Sequence, residues 1–168
     1  MNRQPWTETY DVVMPILKRD WPAAQVNLPF VFKNLPIRRL VVLSGADLEP
    51  LLPRDERIVF VNENELMEGL TLAIYTDKRA GWYFQQFLKL GYARVCTEKA
   101  YIVWDADTVP VRPISFRNEQ GQYLFNVRPE YNKPYFDTMK TLLGLEKCQE
   151  DSFIAEHMIF DTRMACRM

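Results

Sequence analysis

The segment Tyr101-Ile-Val-Trp-Asp105-Ala-Asp107-Thr-Val-Pro110 carries the residue types and spacing best suited to chemistry. An apolar run ends in two carboxylates separated by one small residue. In extended backbone, residues i and i+2 point the same way, so Asp105 and Asp107 can address one ligand. Two ionised carboxylates side by side repel each other, and a divalent cation relieves that repulsion. Oxygen ligands of this kind suit Mg²⁺ or Mn²⁺. Such a cation can bridge to a diphosphate and stabilise the charge that builds on a departing group. The pair also lies at the carboxyl end of a buried strand, where open α/β sheets bind their ligands. An acidic pair that merely caps a turn is the plainer alternative, and the strand in front of it favours the ligand.

The elements that must position this pair are legible as four short apolar runs, at 10–17, 40–43, 58–61 and 101–104. They are β-branched and aromatic, and apolar at consecutive positions, as strands covered on both faces are. Residues 20–35 are long enough for a crossover helix, though weakened by prolines, and 46–52 suffice for one or two helical turns. The clearest helix is 79–90, with Ala80, Tyr83, Phe84, Phe87 and Leu88 in an apolar stripe and Gly91 as its C-terminal cap. Trp82, Gln85, Gln86 and Lys89 share the opposite face, and an exposed Trp commonly marks a contact. A later helix is expected from about Pro134, after Asn132, with Tyr135, Met139, Leu142 and Leu143 inward and Gly144 ending it. This alternation predicts an α/β sandwich with a mainly parallel central sheet flanked by helices.

Composition excludes several other classes. The chain has 168 residues, 48% hydrophobic and 26% charged, with 21 basic and 22 acidic side chains. That length suits one domain with a sizeable core, and the balanced charge argues against nucleic acid as a partner. The longest uncharged stretch, 21–32, contains Pro22 and Pro29 and falls short of the ~20 apolar residues that span a bilayer, so no transmembrane segment is expected. Cys96, Cys148 and Cys166 form no C-x-x-C pair, and a reducing, cytoplasmic compartment fits them best. Lys18 and Arg19 follow the first strand at the edge where a diphosphate would dock, whereas Arg38 and Arg39 precede a strand and read as solvated loop charges. Asn62 to Glu65 follow the third strand, with Asn64 as a candidate helix cap. His157 is the sole histidine. If 153–160 is a strand, Glu156 and His157 face opposite sides.

The segment 102–116, Ile-Val-Trp-Asp-Ala-Asp-Thr-Val-Pro-Val-Arg-Pro-Ile-Ser-Phe, resembles the Asp-x-Asp region of GT-A-fold, nucleotide-sugar-dependent glycosyltransferases. The order of first strand, helix 81–90 and late segment 152–160 matches as well, and the chain is most similar to a bacterial group of glycosyltransferase-like proteins. The resemblance implies a glycosyltransferase that uses Mn²⁺ or Mg²⁺ to move a sugar from a nucleotide-sugar donor, UDP-linked, to a hydroxyl of a glycan or other acceptor. It implies that Asp107 is the principal metal-binding carboxylate and that Asp105 contacts the ribose, or the metal through water. Met14 and Pro15 would border the base, Trp82, Gln85, Gln86 and Lys89 the donor pocket, and His157 the sugar-acceptor junction, the one candidate for a catalytic side chain.

GT-A domains usually run longer, which implies a single domain over 1–168 that lacks the C-terminal part of the catalytic domain. A nucleotide-sugar-binding domain or remnant without turnover is the alternative reading. A shortened sheet would expose apolar surface and invite self-association. The expected location is cytoplasmic or peripheral to the membrane. Asp105-Ala-Asp107-Thr108-Val109 also looks like the nucleophile motif of haloacid-dehalogenase-type phosphatases. That motif normally opens its domain, and the extended continuation Pro110-Val-Arg-Pro113 does not suit it.

Overall fold

The structure, a computed structural model, describes residues 6–67, 69–70, 79–152 and 154–167. Phe153, where the last strand is expected to start, lies outside them. Among the described residues the strands are β1 (Tyr10–Pro15), β2 (Ile37–Ser44), β3 (Ile58–Asn62), β4 (Ala100–Trp104) and β5 (His157–Asp161). They form one sheet in the order β3-β2-β1-β4-β5. The first four are parallel, and β5 runs antiparallel to β4 with Trp104 opposite His157. The chain leaves β1 toward β2 on one side and returns to β4 on the other. The crevice beyond the carboxyl ends of β1 and β4 is therefore the topological switch point.

The helices are α1 (Trp21–Asn34), α2 (Glu63–Leu66), α3 (Ala80–Gly91), α4 (Lys133–Leu143) and α5 (Thr162–Ala165). Successive strand side chains alternate between two cores. Val12, Met14, Leu40, Val42, Ile102 and Trp104 share one with Trp21, Ala24, Leu28 and Val31 of α1. Val13, Val41, Leu43, Tyr101 and Val103 share the other with Phe84 and Leu88 of α3. Both faces of the central strands are thus covered, which is why their sequences show no polar alternation. No helix among the described residues is long and apolar enough to cross a membrane.

Several expectations change in detail. The prolines do not break α1: Pro22 occupies the first turn, where its missing N–H is spare, and Pro29 lies on the exposed side. In α3 the buried stripe is narrower than the pattern suggests. Phe84 and Leu88 are buried, Tyr83 and Phe87 are exposed, and Lys89 turns inward. Gly91 does not end α3 in a left-handed turn; its φ is −60° and the chain runs on into a 3-10 turn. Its lack of a side chain serves packing, because a Cβ there would run into Met67 Sδ. Gly144 does end α4 with φ 67°. Yet no residue of α4 is buried, and Leu142 and Leu143 face outward. The cap of α2 is Asn62, whose side chain accepts from the Asn64 N–H, so Asn64 lies inside the first turn.

Arg38 and Arg39 are not solvated loop charges. The Asp11 carboxylate, fully buried in β1, accepts from Arg39 Nε at 3.1 Å and Nη2 at 2.8 Å, from Arg38 Nη2 at 2.8 Å and from Tyr92 Oη at 2.7 Å. Burial pushes this carboxyl up, but the hydrogen bonds from Arg39 and Tyr92 and the two guanidinium charges outweigh it, and its pKa falls below the ordinary value.

Replacing Arg38 and Arg39 together by Met should destabilise the fold by about 3 kcal/mol or more, because the carboxylate is then buried with the Tyr92 hydroxyl alone. Urea denaturation measures this. The depressed carboxyl contributes stability that is complete above its ordinary value of 3.8 and is lost as pH falls below it. Acid unfolding of the unmodified chain should show that loss, and Asp11→Asn should blunt it.

Candidate functional site

The strand alternation that sends Tyr101 and Val103 toward α3 carries Asp105 to the same side, just past the end of β4. There Lys89 Nζ donates to Asp105 Oδ1 at 2.7 Å. Lys89 is only 8% exposed, so its ammonium is held inside the cleft by this carboxylate. The Lys89 carbonyl accepts from Tyr101 Oη at 2.8 Å, which fixes the last turn of α3 on β4. The Asp105 N–H donates to the Glu156 carbonyl at 2.9 Å, extending the β4–β5 ladder by one step.

Extended backbone ends at Trp104. Thr108 N–H donates to the Asp105 carbonyl at 3.0 Å and Trp104 Nε1 to the Thr108 carbonyl at 2.9 Å, so residues 105–108 form a tight turn. The i, i+2 rule therefore does not carry through the acidic pair. Asp105 lines a cleft, whereas Asp107 is exposed on the turn and is not among the cleft-lining side chains. The turn is held from α1: Asn27 Nδ2 donates to the Ala106 carbonyl at 3.2 Å and Asn34 Nδ2 to the Pro110 carbonyl at 2.6 Å.

The cleft has a volume of about 630 Å³. Trp82, Gln85, Gln86, Lys89 and Asp105, all expected from the sequence, line it together. Met14 and Pro15 are buried within β1, and Lys18 pairs with Asp47 at 3.3 Å on the surface; none of the three lines the cleft. The opposite wall comes from Arg128, Glu130, Tyr135 and Glu156, which pattern reading does not assign to a site. Arg128 Nη2 grips both Glu156 oxygens at 2.8 and 2.7 Å. Tyr135 stacks on Trp82 with ring centroids 6.2 Å apart and planes 12° from parallel. Tyr135 left a trace in the sequence as an aromatic on the apolar side of α4, and Glu156 through its alternation with His157. Arg128 and Glu130 left none, and an isolated bridge between Arg128 and Ser152 brings that segment alongside.

Glu156 and His157 do face opposite sides. Glu156 lines the cleft, while the His157 ring stacks on Trp104 at 4.7 Å and meets Phe116 edge-on at 5.9 Å. His157 Nδ1 is buried without a hydrogen-bond partner among the described residues. Burial holds this imidazole below its ordinary pKa, against the pull of the Glu156 and Asp105 carboxylates and with the push of Arg128. Among the described residues no group of three or more His, Cys, Asp and Glu side chains converges as a ready-made metal site.

This architecture is the GT-A fold. The galactosyltransferase LgtC, solved with donor and acceptor sugar analogues, matches with a TM-score of 0.58 at 15% identity over 94% of this chain. The bifunctional glycosyltransferase WbbM, solved without ligand, matches with a TM-score of 0.51 at 12% identity over 98%. The chain spans 60% of the first and 33% of the second. No curated protein matches the sequence. The model of a family of unknown function, DUF6492, matches residues 51–168, and the chain belongs to that family.

Because the His157 pKa is depressed, the neutral ring is the form that the fold favours. Its contribution is complete above the ordinary value of 6.5 and is lost as pH falls below it. Thermal melts should show stability falling from neutral toward mildly acid pH, and His157→Phe should flatten that slope.

Proposed function

We propose that the cleft binds a nucleotide-sugar, UDP-linked, together with Mg²⁺ or Mn²⁺, and transfers the sugar to an acceptor hydroxyl. The observation that carries this reading is the charge of the cleft lining. Lys89 and Arg128 supply two positive charges against three negative ones from Asp105, Glu130 and Glu156. Both cations are already paired, at 2.7 Å each, to Asp105 and to Glu156. A diphosphate entering such a cleft needs added positive charge, and a hard divalent cation held by carboxylate, phosphate and water oxygens provides it. Asp105 at the cleft fits that donor chemistry, with Asp107 on the exposed turn outside the lining, and a small number of protein ligands is ordinary for Mg²⁺ beside phosphates. The bound cation would stabilise the charge on the departing diphosphate.

The chain's own groups divide the remaining work. Lys89 neutralises Asp105 and keeps that carboxylate at the strand end. Gln85 and Gln86 line the cleft with amides suited to hydroxyl and phosphate oxygens, although Gln86 Nε2 already donates to the Trp82 carbonyl at 3.3 Å. His157, stacked behind Trp104, supports the end of β4 rather than touching substrate. A donor-binding domain without turnover is the second reading, favoured by the pairing of Asp105 to Lys89 and of Glu156 to Arg128, which leaves two of the cleft's three carboxylates engaged.

Calorimetry with UDP and Mn²⁺ tests the assignment. Asp105→Asn and Asp107→Asn should each weaken metal-dependent UDP binding by about tenfold or more. Binding by Asp107→Asn equal to that of the unmodified chain would overturn the shared site. Incubation with a UDP-hexose then separates the two readings, since a transferase releases UDP in the presence of acceptor and a binder does not.

A further inference from the structure

Trp82 is 43% exposed, whereas Trp21 and Trp104 are core residues, 3% and 1% exposed. It sits on the cleft face of α3, seven residues before Lys89, roughly 10 Å away along the helix axis. A sugar joined directly to a diphosphate at Asp105 would fill the space beside Lys89, so Trp82, near the other end of α3, and Tyr135, stacked on it, stand beyond that sugar. We propose that this aromatic pair is the binding subsite for the acceptor, and that the acceptor presents an uncharged pyranose ring to it.

The chemistry of the surroundings selects that class of ligand. A pyranose has a flat C–H face and an edge of hydroxyls. The two rings stack on each other, 12° from parallel, and the exposed part of Trp82 offers an apolar surface with its one polar atom at the rim. Gln85 and Glu130 line the same cleft and supply amide and carboxylate groups for a hydroxyl edge. The balance of two cations and three carboxylates, with both cations paired, disfavours an anionic acceptor. Tyr83 packs against Trp82 at 5.1 Å with the ring planes 76° apart, which helps to fix the indole on the helix. That the ring belongs to an acceptor rests on the proposed transferase reading; that a ring docks on Trp82 does not.

The test uses methyl β-D-glucopyranoside, methyl β-D-galactopyranoside and lactose, added at millimolar concentration without nucleotide. Trp82 is the most exposed of the four indoles, so tryptophan emission should shift to the blue and acrylamide quenching should fall. Saturation-transfer NMR should mark the ring C–H protons. Trp82→Ala should weaken binding by about tenfold or more, and Trp82→Phe should restore most of it. Circular dichroism of each variant establishes that it is folded, and Tyr135→Ala provides a second lesion on a different helix.

No response to any of the three glycosides, or equal binding by folded Trp82→Ala, overturns the subsite. The same samples titrated with UDP and Mn²⁺ keep the two ideas apart. Tight UDP binding with silent glycosides sinks the subsite alone, and glycoside binding at Trp82 without UDP binding upholds the subsite while sinking the donor reading.

Discussion

A strand covered on both faces can place charge only at its ends, and only against a partner, because an unpaired ion in a low-dielectric interior is prohibitively costly. Neighbouring β1 and β4 obey this at opposite edges of the sheet. At the amino end of β1, Asp11 is neutralised by Arg38, Arg39 and the Tyr92 hydroxyl. At the carboxyl end of β4, Asp105 is neutralised by Lys89. Helix α3 links the two, since Lys89 lies in its last turn and Tyr92 directly follows it. One edge is closed by this arrangement and the other is left with a cleft.

The two edges differ in what neutralisation leaves available. Asp11 is saturated: four hydrogen bonds converge on two oxygens, and nothing further can enter. Asp105 receives one bond on one oxygen from the described side chains, at the rim of a space large enough for a ligand. A carboxylate held in place yet incompletely satisfied is suited to an exchangeable cation, whereas a saturated one braces the fold. The same residue type is thus saturated at one end of the sheet and left with an open oxygen beside a cleft at the other.

What the sequence made legible follows from these local rules. The four parallel strands showed in their consecutive apolar runs, and the α3 face with Trp82, Gln85, Gln86 and Lys89 showed in its helical period. Asp105 was legible from its place after a buried strand. The turn at 105–108 was not, because it depends on Asn27 and Asn34 reaching across from α1, a contact between residues more than seventy positions apart. The Arg38–Arg39 pair misled for a related reason: two adjacent arginines look solvated until a buried acid on the next strand requires them. Arg128 and Glu130 were illegible because a lone bridge from Arg128 to Ser152 and the ion pair to Glu156, not any periodic pattern, bring them to the cleft. In α4 the apolar spacing was real, but Leu142 and Leu143 face outward, so spacing alone did not tell which surface is covered.

The cleft therefore has sides of unequal rigidity. Its floor, from α3 and β4, is tied into the core by the Tyr101 hydroxyl and the Lys89 ion pair. Its far wall hangs from an outermost strand and from a helix without a single buried residue. Substitutions on that wall remove little packing, so its surface can change while the floor stays put. A scaffold divided this way lets new ligand preferences arise one surface residue at a time, without first having to survive a loss of foldedness.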